Sequence, residues 1–226
     1  MRRRTPGRLG EIATAALAVF SRQGFQLTLM SDVARAAGLA AGTLYLYVES
    51  KEALLELALE CAETGHARER PLPVRGQGLA KIASGLRDRL AERADWRILR
   101  AALTRRRVGD VDAEIREIAT ELFDLIAGAR RLIWLLDRCA GELAEFAAVY
   151  HDRVKGAYMR DLTAYVWKRQ STGHVSSDLD PVAGARAIME MIVWMAAHRH
   201  RDAMPPAIDD VAGREAVVTL AAKALR

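Results

Sequence analysis

Between Gly42 and Lys51 lies a set of side chains suited to meeting a polyanion: Gly42, Thr43, Tyr45, Leu46, Tyr47, Ser50 and Lys51. A glycine and small side chains permit close approach. Phenols reach oxygen acceptors, and a lysine behind a serine N-cap stands where helix N–H groups already favour an anion. On a helical wheel with Leu44 at zero, Val48 falls at about 40° and the two anchor a buried face. Gly42, Thr43 and Leu46 then face outward, and Tyr45 and Tyr47 flank the edges at about 100° and 300°. Such a helix has the geometry of major-groove insertion, with base edges ahead and phosphates on both sides. Thr28, read as the cap of the preceding helix, is expected on the other side of the groove. An ordinary surface lysine is the plain alternative for Lys51.

Other candidate chemistry is weak. "GDVDAEIREIATE" puts Asp110, Asp112, Glu114 and Glu121 at calcium-loop offsets, yet Ile115 fills the position that needs glycine, so an acidic helix start is expected. His198 and His200 lie two apart and point to different sides of a helix, unlike an i,i+4 metal pair. "RGQGLAK" has a G-x-G fragment without a preceding strand. Neither a nucleophile elbow nor a zinc-protease signature occurs. No catalytic residue, metal site or cofactor is expected. Cys61 and Cys139 have no metal-type or disulfide-framework spacing, which suits a reducing compartment.

The elements that must position these residues are helices. Alanine, leucine, glutamate and arginine dominate, with no alternating β-branched run long enough for a sheet, so an all-α protein of about ten helices is expected. Breaks are expected at Gly24, Gly38, residues 70–78, Gly109, Gly141, 171–181 and 202–210. Helices over 8–22, 28–37 and 41–48 have the proportions of a helix-turn-helix within a three-helix unit, with Phe20, Val33, Ala34, Leu39, Leu44 and Val48 as its core. Long helices are expected over 112–138, 142–169 and 181–200. Asp180 caps the last of these, before Pro181, and Asp209 caps a final helix. The expected organisation is a DNA-binding domain over 1–51 and a larger helical domain over 52–226, entered by a connecting helix at 52–70. The segment 70–78 is the expected boundary region.

The N-terminal "MRRRTPGRLGEIATAALAVF" superficially suits a signal peptide. Glu11 interrupts it, no clear cleavage site follows, and Ile12, Ala16, Val19 and Phe20 recur at helical spacing, which favours an amphipathic helix of a cytoplasmic protein. No run reaches the roughly 18 apolar residues of a membrane span. Of the net charge of +5, most falls before residue 52, where seven basic residues face three acidic ones. A basic first quarter on a nearly neutral remainder suits a polyanion-binding end, although charge alone also fits a solvated surface.

"TLMSDVARAAGLAAGTLYLYVESKEALL" resembles the DNA-binding signature of TetR-type transcriptional regulators, in which a similar threonine, an Asp-hydrophobic-Ala step, Gly-Thr-Leu-Tyr and Ser-Lys-Glu recur in this order. The resemblance covers about residues 8–59. It implies that Thr28, Thr43, Tyr45, Tyr47 and Lys51 approach the DNA backbone and that Gly42 permits close contact. Ala40 and Ala41 stand where the family often has Ser-Lys, Leu46 where it often has histidine or tyrosine, and Val48 where it has phenylalanine. Fewer polar base contacts follow, and Leu46 against a thymine methyl is the sharper expectation. Arg2, Arg3 and Arg4 are expected to form a minor-groove arm.

The resemblance also implies a two-fold dimer through the last two helices, reading a palindromic operator, and a small-molecule effector. The ninth helix is apolar nearly all round and needs cover on several sides. Ile188, Met189, Ile192, Met195, Val217, Leu220 and Ala221 are the expected dimer residues, with burial inside one large domain the alternative. Trp96, Leu99, Leu103, Leu122, Phe123, Ile126, Trp134, Phe146, Tyr150 and Tyr158 are the expected lining of a mainly apolar effector pocket. The expected function is a repressor released by that effector. A constitutive DNA binder or activator without ligand control is the alternative, with an enzyme third.

Overall fold

The computed structural model describes residues 7–93, 95–204 and 207–225, and within them the regular elements are helices joined by turns and loops. Two compact units form. The first takes the described residues up to Ala91 together with Arg131–His151, and the second takes Glu92–Arg130 and the described residues from Asp152 onward. The expected break at 51/52 therefore falls inside the first unit, as does the segment 70–78.

In the first unit, α1 (Arg8–Leu27) packs along α4 (Lys51–Thr64), with α2 (Met30–Ala36) and α3 (Ala41–Leu44) at one end. Ile12, Ala16, Val19 and Phe20, the stripe read from the sequence, are buried, as are Leu54, Leu55, Leu57 and Ala58 on α4. The helical run of α1 is interrupted at Gly24, whose φ of 84° needs a residue without a side chain. A Cβ there would also fall 1.8 Å from Glu142 Oε1. Glu142 Oε2 accepts from the Gln26 N–H at 2.7 Å, and the Arg138 guanidinium donates to the Arg22 carbonyl at 2.9 Å, so the chain around residue 140 holds the end of α1. The unit is completed by α5 (Leu79–Arg93), α8 (Arg130–Ala140, from Arg131 on) and α9 (Ala144–Ala148).

The second unit contains α6 (Arg97–Thr104), α7 (Val111–Gly128), α10 (Gly156–Ser171), α11 (Pro181–Ala196) and α12 (Asp210–Ala224). Asp110, Asp180 and Asp209 each accept from the N–H three residues on, capping α7, α11 and α12. At its centre Arg169, Tyr165 and Glu114 are all buried. Glu114 Oε1 accepts from Arg169 Nε at 2.7 Å and from the Tyr165 hydroxyl at 3.0 Å, and its Oε2 accepts from Arg105 at 3.0 Å. Arg169 also donates to the Ala102 carbonyl at 2.8 Å, so this network ties α6, α7 and α10 together. Burial beside Glu114 raises the Tyr165 pKa and keeps its hydroxyl a donor.

Two expected long helices are divided. The run over 112–138 breaks at Ala129, between α7 and α8. That over 142–169 contains a π-helical stretch, Val149–Lys155, between α9 and α10. Beyond α11 the chain tightens into a 3₁₀ turn, His198–Arg201. Among the described residues the one β pairing is an isolated parallel bridge between Val48 and Val74.

Candidate nucleic-acid interface

Ala34, Val33 and Leu44 are buried where α2 meets α3, and Val48 is buried beyond them, so the expected anchoring pair does hold the turn. Asp32 Oδ2 accepts from the Leu29 N–H at 3.0 Å and from Gln23 at 3.1 Å, closing the start of α2. Those bonds, the backbone one foremost, hold the Asp32 carboxyl below its ordinary pKa.

The third helix is shorter than expected. It ends at Leu44 rather than 48, and the next residues follow a turn in which the Leu46 and Tyr47 N–H groups donate to the Thr43 and Leu44 carbonyls. The backbone beyond that turn pairs far along the chain: the Tyr47 carbonyl accepts from the Val74 N–H at 2.8 Å and the Glu49 N–H donates to the Val74 carbonyl at 3.0 Å, so these end groups are satisfied outside the helix.

Ala40, Ala41, Gly42, Tyr45 and Leu46 are exposed, Tyr45 by 50% and Leu46 by 39%, and Thr43 is half-buried. They form a small, uncharged outer face on a buried base. Two expected members are placed elsewhere. Tyr47 is 5% exposed and belongs to the base rather than the margin. Thr28 is wholly buried, its hydroxyl donating to the Gly24 carbonyl at 2.5 Å; Leu29, not Thr28, is the residue before α2, and no side chain caps that end through Thr28. Its place at the surface is taken by Leu27 and Leu29, 75% and 62% exposed, which periodicity alone did not single out. Ser50 caps α4 as expected, its hydroxyl accepting from the Ala53 N–H at 3.2 Å. Lys51 is half-buried, with Nζ 3.3 Å from the Gln26 carbonyl and 4.5 Å from the centre of the Phe25 ring. The expected arm Arg2, Arg3 and Arg4 lies outside the described residues.

Residues 12–58, which span this head, match the model of the family described as bacterial regulatory proteins, tetR family. Over that head the chain is similar to the TetR-type regulators. It is 34% identical over 85 residues to an uncharacterised HTH-type transcriptional regulator, YfiR of Bacillus subtilis, a stretch covering 38% of this chain and 42% of that protein. The chain thus spans less than half of that curated relative. Solved structures share the fold over greater length. A TetR transcriptional regulator family member from Streptomyces coelicolor is 20% identical with a TM-score of 0.56, covering 99% of this chain and 94% of that one. AibR, solved with isovaleryl coenzyme A and operator DNA, is 17% identical with a TM-score of 0.53, covering 94% and 97%.

The residues expected to line an effector pocket divide between the units. Trp134, Phe146 and Tyr150 belong to the first, where Phe146 and Tyr150 are buried and Trp134 is half-buried. In the second, Trp96, Leu99, Leu122, Phe123, Ile126 and Tyr158 are buried and Leu103 is half-buried. The Trp96 and Tyr158 rings meet edge to face at 5.3 Å. Trp96 Nε1 donates to Asp161 at 2.6 Å, and Glu121 accepts the Ile98 and Leu99 N–H groups at the start of α6. The Tyr158 hydroxyl has no partner among the described residues. Burial, with the carboxylates of Glu121 and Asp161 nearby, raises its pKa and keeps it protonated.

The expected dimer residues are mostly used within the second unit. Ile188, Met189 and Ile192 on α11, and Val217 and Ala221 on α12, are buried against neighbouring helices of the same chain; Met195 is half-buried and packs on Gly213. Only Leu220, 53% exposed, faces outward. Other residues supply exposed apolar stripes at helical spacing, Ala183, Ala187 and Trp194 on α11 and Ala212, Ala216 and Leu220 on α12. Among the described residues no group of three or more His, Cys, Asp or Glu side chains is placed to hold a metal, and no helix is long and apolar enough to cross a membrane.

Proposed function

We propose that this chain is a cytoplasmic, homodimeric transcriptional regulator that binds a palindromic operator and acts as a repressor, released by a small, mainly apolar effector. The observation that carries the reading is the outer face of α3. Gly42, Tyr45 and Leu46 stand exposed over buried Leu44 and Val48, beside the Ser50-capped start of α4, so the chain can press an uncharged surface to base edges while N–H groups and Lys51 hold a phosphate. Leu46 reads a thymine methyl, and Tyr45 bonds the backbone. Two such heads about 34 Å apart in a dimer match half-sites one helical turn apart.

The stripes Ala183-Ala187-Trp194 and Ala212-Ala216-Leu220 supply the self-complementary surface for that dimer. For the effector, the buried aromatic pair Trp96 and Tyr158 offers apolar contact, and the Tyr158 hydroxyl is a free donor for a carbonyl or similar acceptor. The acyl thioester bound by AibR is an example of such a ligand in a protein of this fold. Selection from random duplexes, followed by acyl-CoA titration of the recovered complex, tests the whole reading. An inverted repeat is expected to emerge, and Tyr45→Ala to weaken it by about tenfold, the size of one good contact. A purified chain that prefers no duplex at about 0.1 M salt overturns the proposal. A chain that binds the repeat but releases it for none of the acyl compounds is a constitutive regulator instead.

A further inference from the structure

The segment between α4 and α5, residues 65–78, contains the stretch 70–78 read from the sequence as a boundary between domains, but it folds back along α4. At its near end Arg68 pairs with Glu60 at 2.9 Å, and Arg70 reaches both Glu56 and Glu60. Further on, Gln77 donates to Glu56 at 3.1 Å. At its far end Val74, 4% exposed, makes its two backbone bonds to Tyr47 and Glu49, on either side of Val48, which is fully buried. Gly76 comes so close to the start of α4 that a Cβ would lie 2.6 Å from Ser50 Oγ and 3.2 Å from the Ala53 nitrogen. The strap thus ends on the turn that follows the exposed face of α3.

One consequence is electrostatic. Arg75, whose side chain is 85% exposed, stands 3.3 Å from Glu49, the residue immediately before the Ser50 cap and Lys51. A carboxylate at that point opposes any anion approaching the N–H groups of α4, and an arginine beside it both neutralises the carboxylate and offers further N–H donors in the same place. A solvent-exposed pair of this kind contributes little to folding, which leaves its guanidinium available to a stronger acceptor.

Resting on the assignment of this head to duplex DNA, we infer that the strap is part of the DNA-binding head and that Arg75 contacts a phosphate beside the start of α4. Val74 is a positioning residue in this arrangement, fixing the strap end to the α3 turn. The test compares Arg75→Gln, Arg75→Lys and Arg68→Gln in the full chain, by fluorescence anisotropy on the selected duplex and on a random duplex between about 50 and 200 mM salt. Arg68 lies on the same strap with its side chain 76% exposed, but beside Glu60, two turns or more along α4 from Ser50.

Loss of one phosphate contact lowers the salt slope by about 0.9, which is roughly three- to fourfold less affinity lost over that salt range for each protomer bound. Arg75→Gln is expected to show this decrease on both duplexes with an unchanged melting temperature, Arg75→Lys to restore most of the slope, and Arg68→Gln to leave it as in the parent. An unchanged slope in Arg75→Gln, or an equal decrease in Arg68→Gln, overturns the assignment of Arg75 while leaving the head a DNA binder. Failure of the parent chain to bind either duplex overturns the assignment of the head and this one with it.

Discussion

Replacing Glu114 with alanine removes the acceptor shared by Arg169, Tyr165 and Arg105. Of the three donors, Arg105 is half exposed and returns to water, but Arg169 is 1% exposed and keeps only the Ala102 carbonyl. A buried charge stripped of its partner costs about 3–5 kcal/mol. For a chain of this size each kcal/mol moves the melting temperature by about 2–4 °C, so a fall of roughly 10 °C is expected. The same reasoning predicts a recovery. Glu114→Leu with Arg169→Met removes both charges, and adding Tyr165→Phe removes the hydroxyl that would otherwise be buried without a partner, itself a cost of about 1–3 kcal/mol. The triple variant is expected to be more stable than Glu114→Ala and close to the parent. Urea unfolding at fixed protein concentration, followed by tryptophan fluorescence, reads this well because Trp96, Trp167 and Trp194 all lie in the unit that holds the network. A loss below about 1 kcal/mol in Glu114→Ala, or a triple variant no better than the single one, refutes the argument that unpaired burial of Arg169 dominates.

Leu220→Arg, placed on the exposed stripe of α12, is expected to convert a dimer into a monomer at micromolar concentration by sedimentation, with little change in helicity. A variant that still dimerises moves the interface elsewhere. His200 is pulled below its ordinary pKa of 6.5, first by burial and then by the guanidiniums of Arg130 and Arg199, with Asp210 acting in the opposite sense. Because the unfolded chain then takes up the proton first, stability is full above about pH 6.5 and declines as pH falls through the window below it. Urea midpoints between about pH 7.5 and 5 are expected to fall less in His200→Gln than in the parent, and equal falls would remove His200 from the cause.

Helix caps and glycine breaks were legible because they are local. Ser50, Asp180 and Asp209 each bond an N–H three residues on, and the φ of Gly24 belongs to that residue alone. Helix α11 shows where locality ends. Its residues are apolar nearly all round, so no periodicity could say which side a neighbour of the same chain would cover. Packing against α7, α10 and α12 takes Ile188, Met189 and Ile192 and leaves Ala183, Ala187 and Trp194. The stripe proposed to meet a partner is therefore the one this packing leaves exposed, not the one that the larger aliphatic side chains of α11 would select. The π-helical stretch at Val149–Lys155 had no signal in the sequence that we can name.

At the candidate DNA-binding face the same limit has a sharper form. A wheel drawn from Leu44 places Gly42, within α3, and Leu46, in the turn that follows, on the exposed side, and it misplaces Tyr47, which lies in that turn beyond the end of the helix at Leu44. The same turn is held by Val74, whose backbone bonds to Tyr47 and Glu49 cannot be anticipated from the spacing of the residues near α3. Thr28 fails for a related reason, since its hydroxyl finds the Gly24 carbonyl freed by the break in α1 and turns inward. The exposed set Gly42, Tyr45 and Leu46 is therefore defined jointly by a local apolar anchor and by a strap about 26 residues further along. Thr28 and Tyr47, which the resemblance assigns to the DNA backbone, are buried in this chain and support the exposed face of α3, and substitutions there are expected to act through its shape.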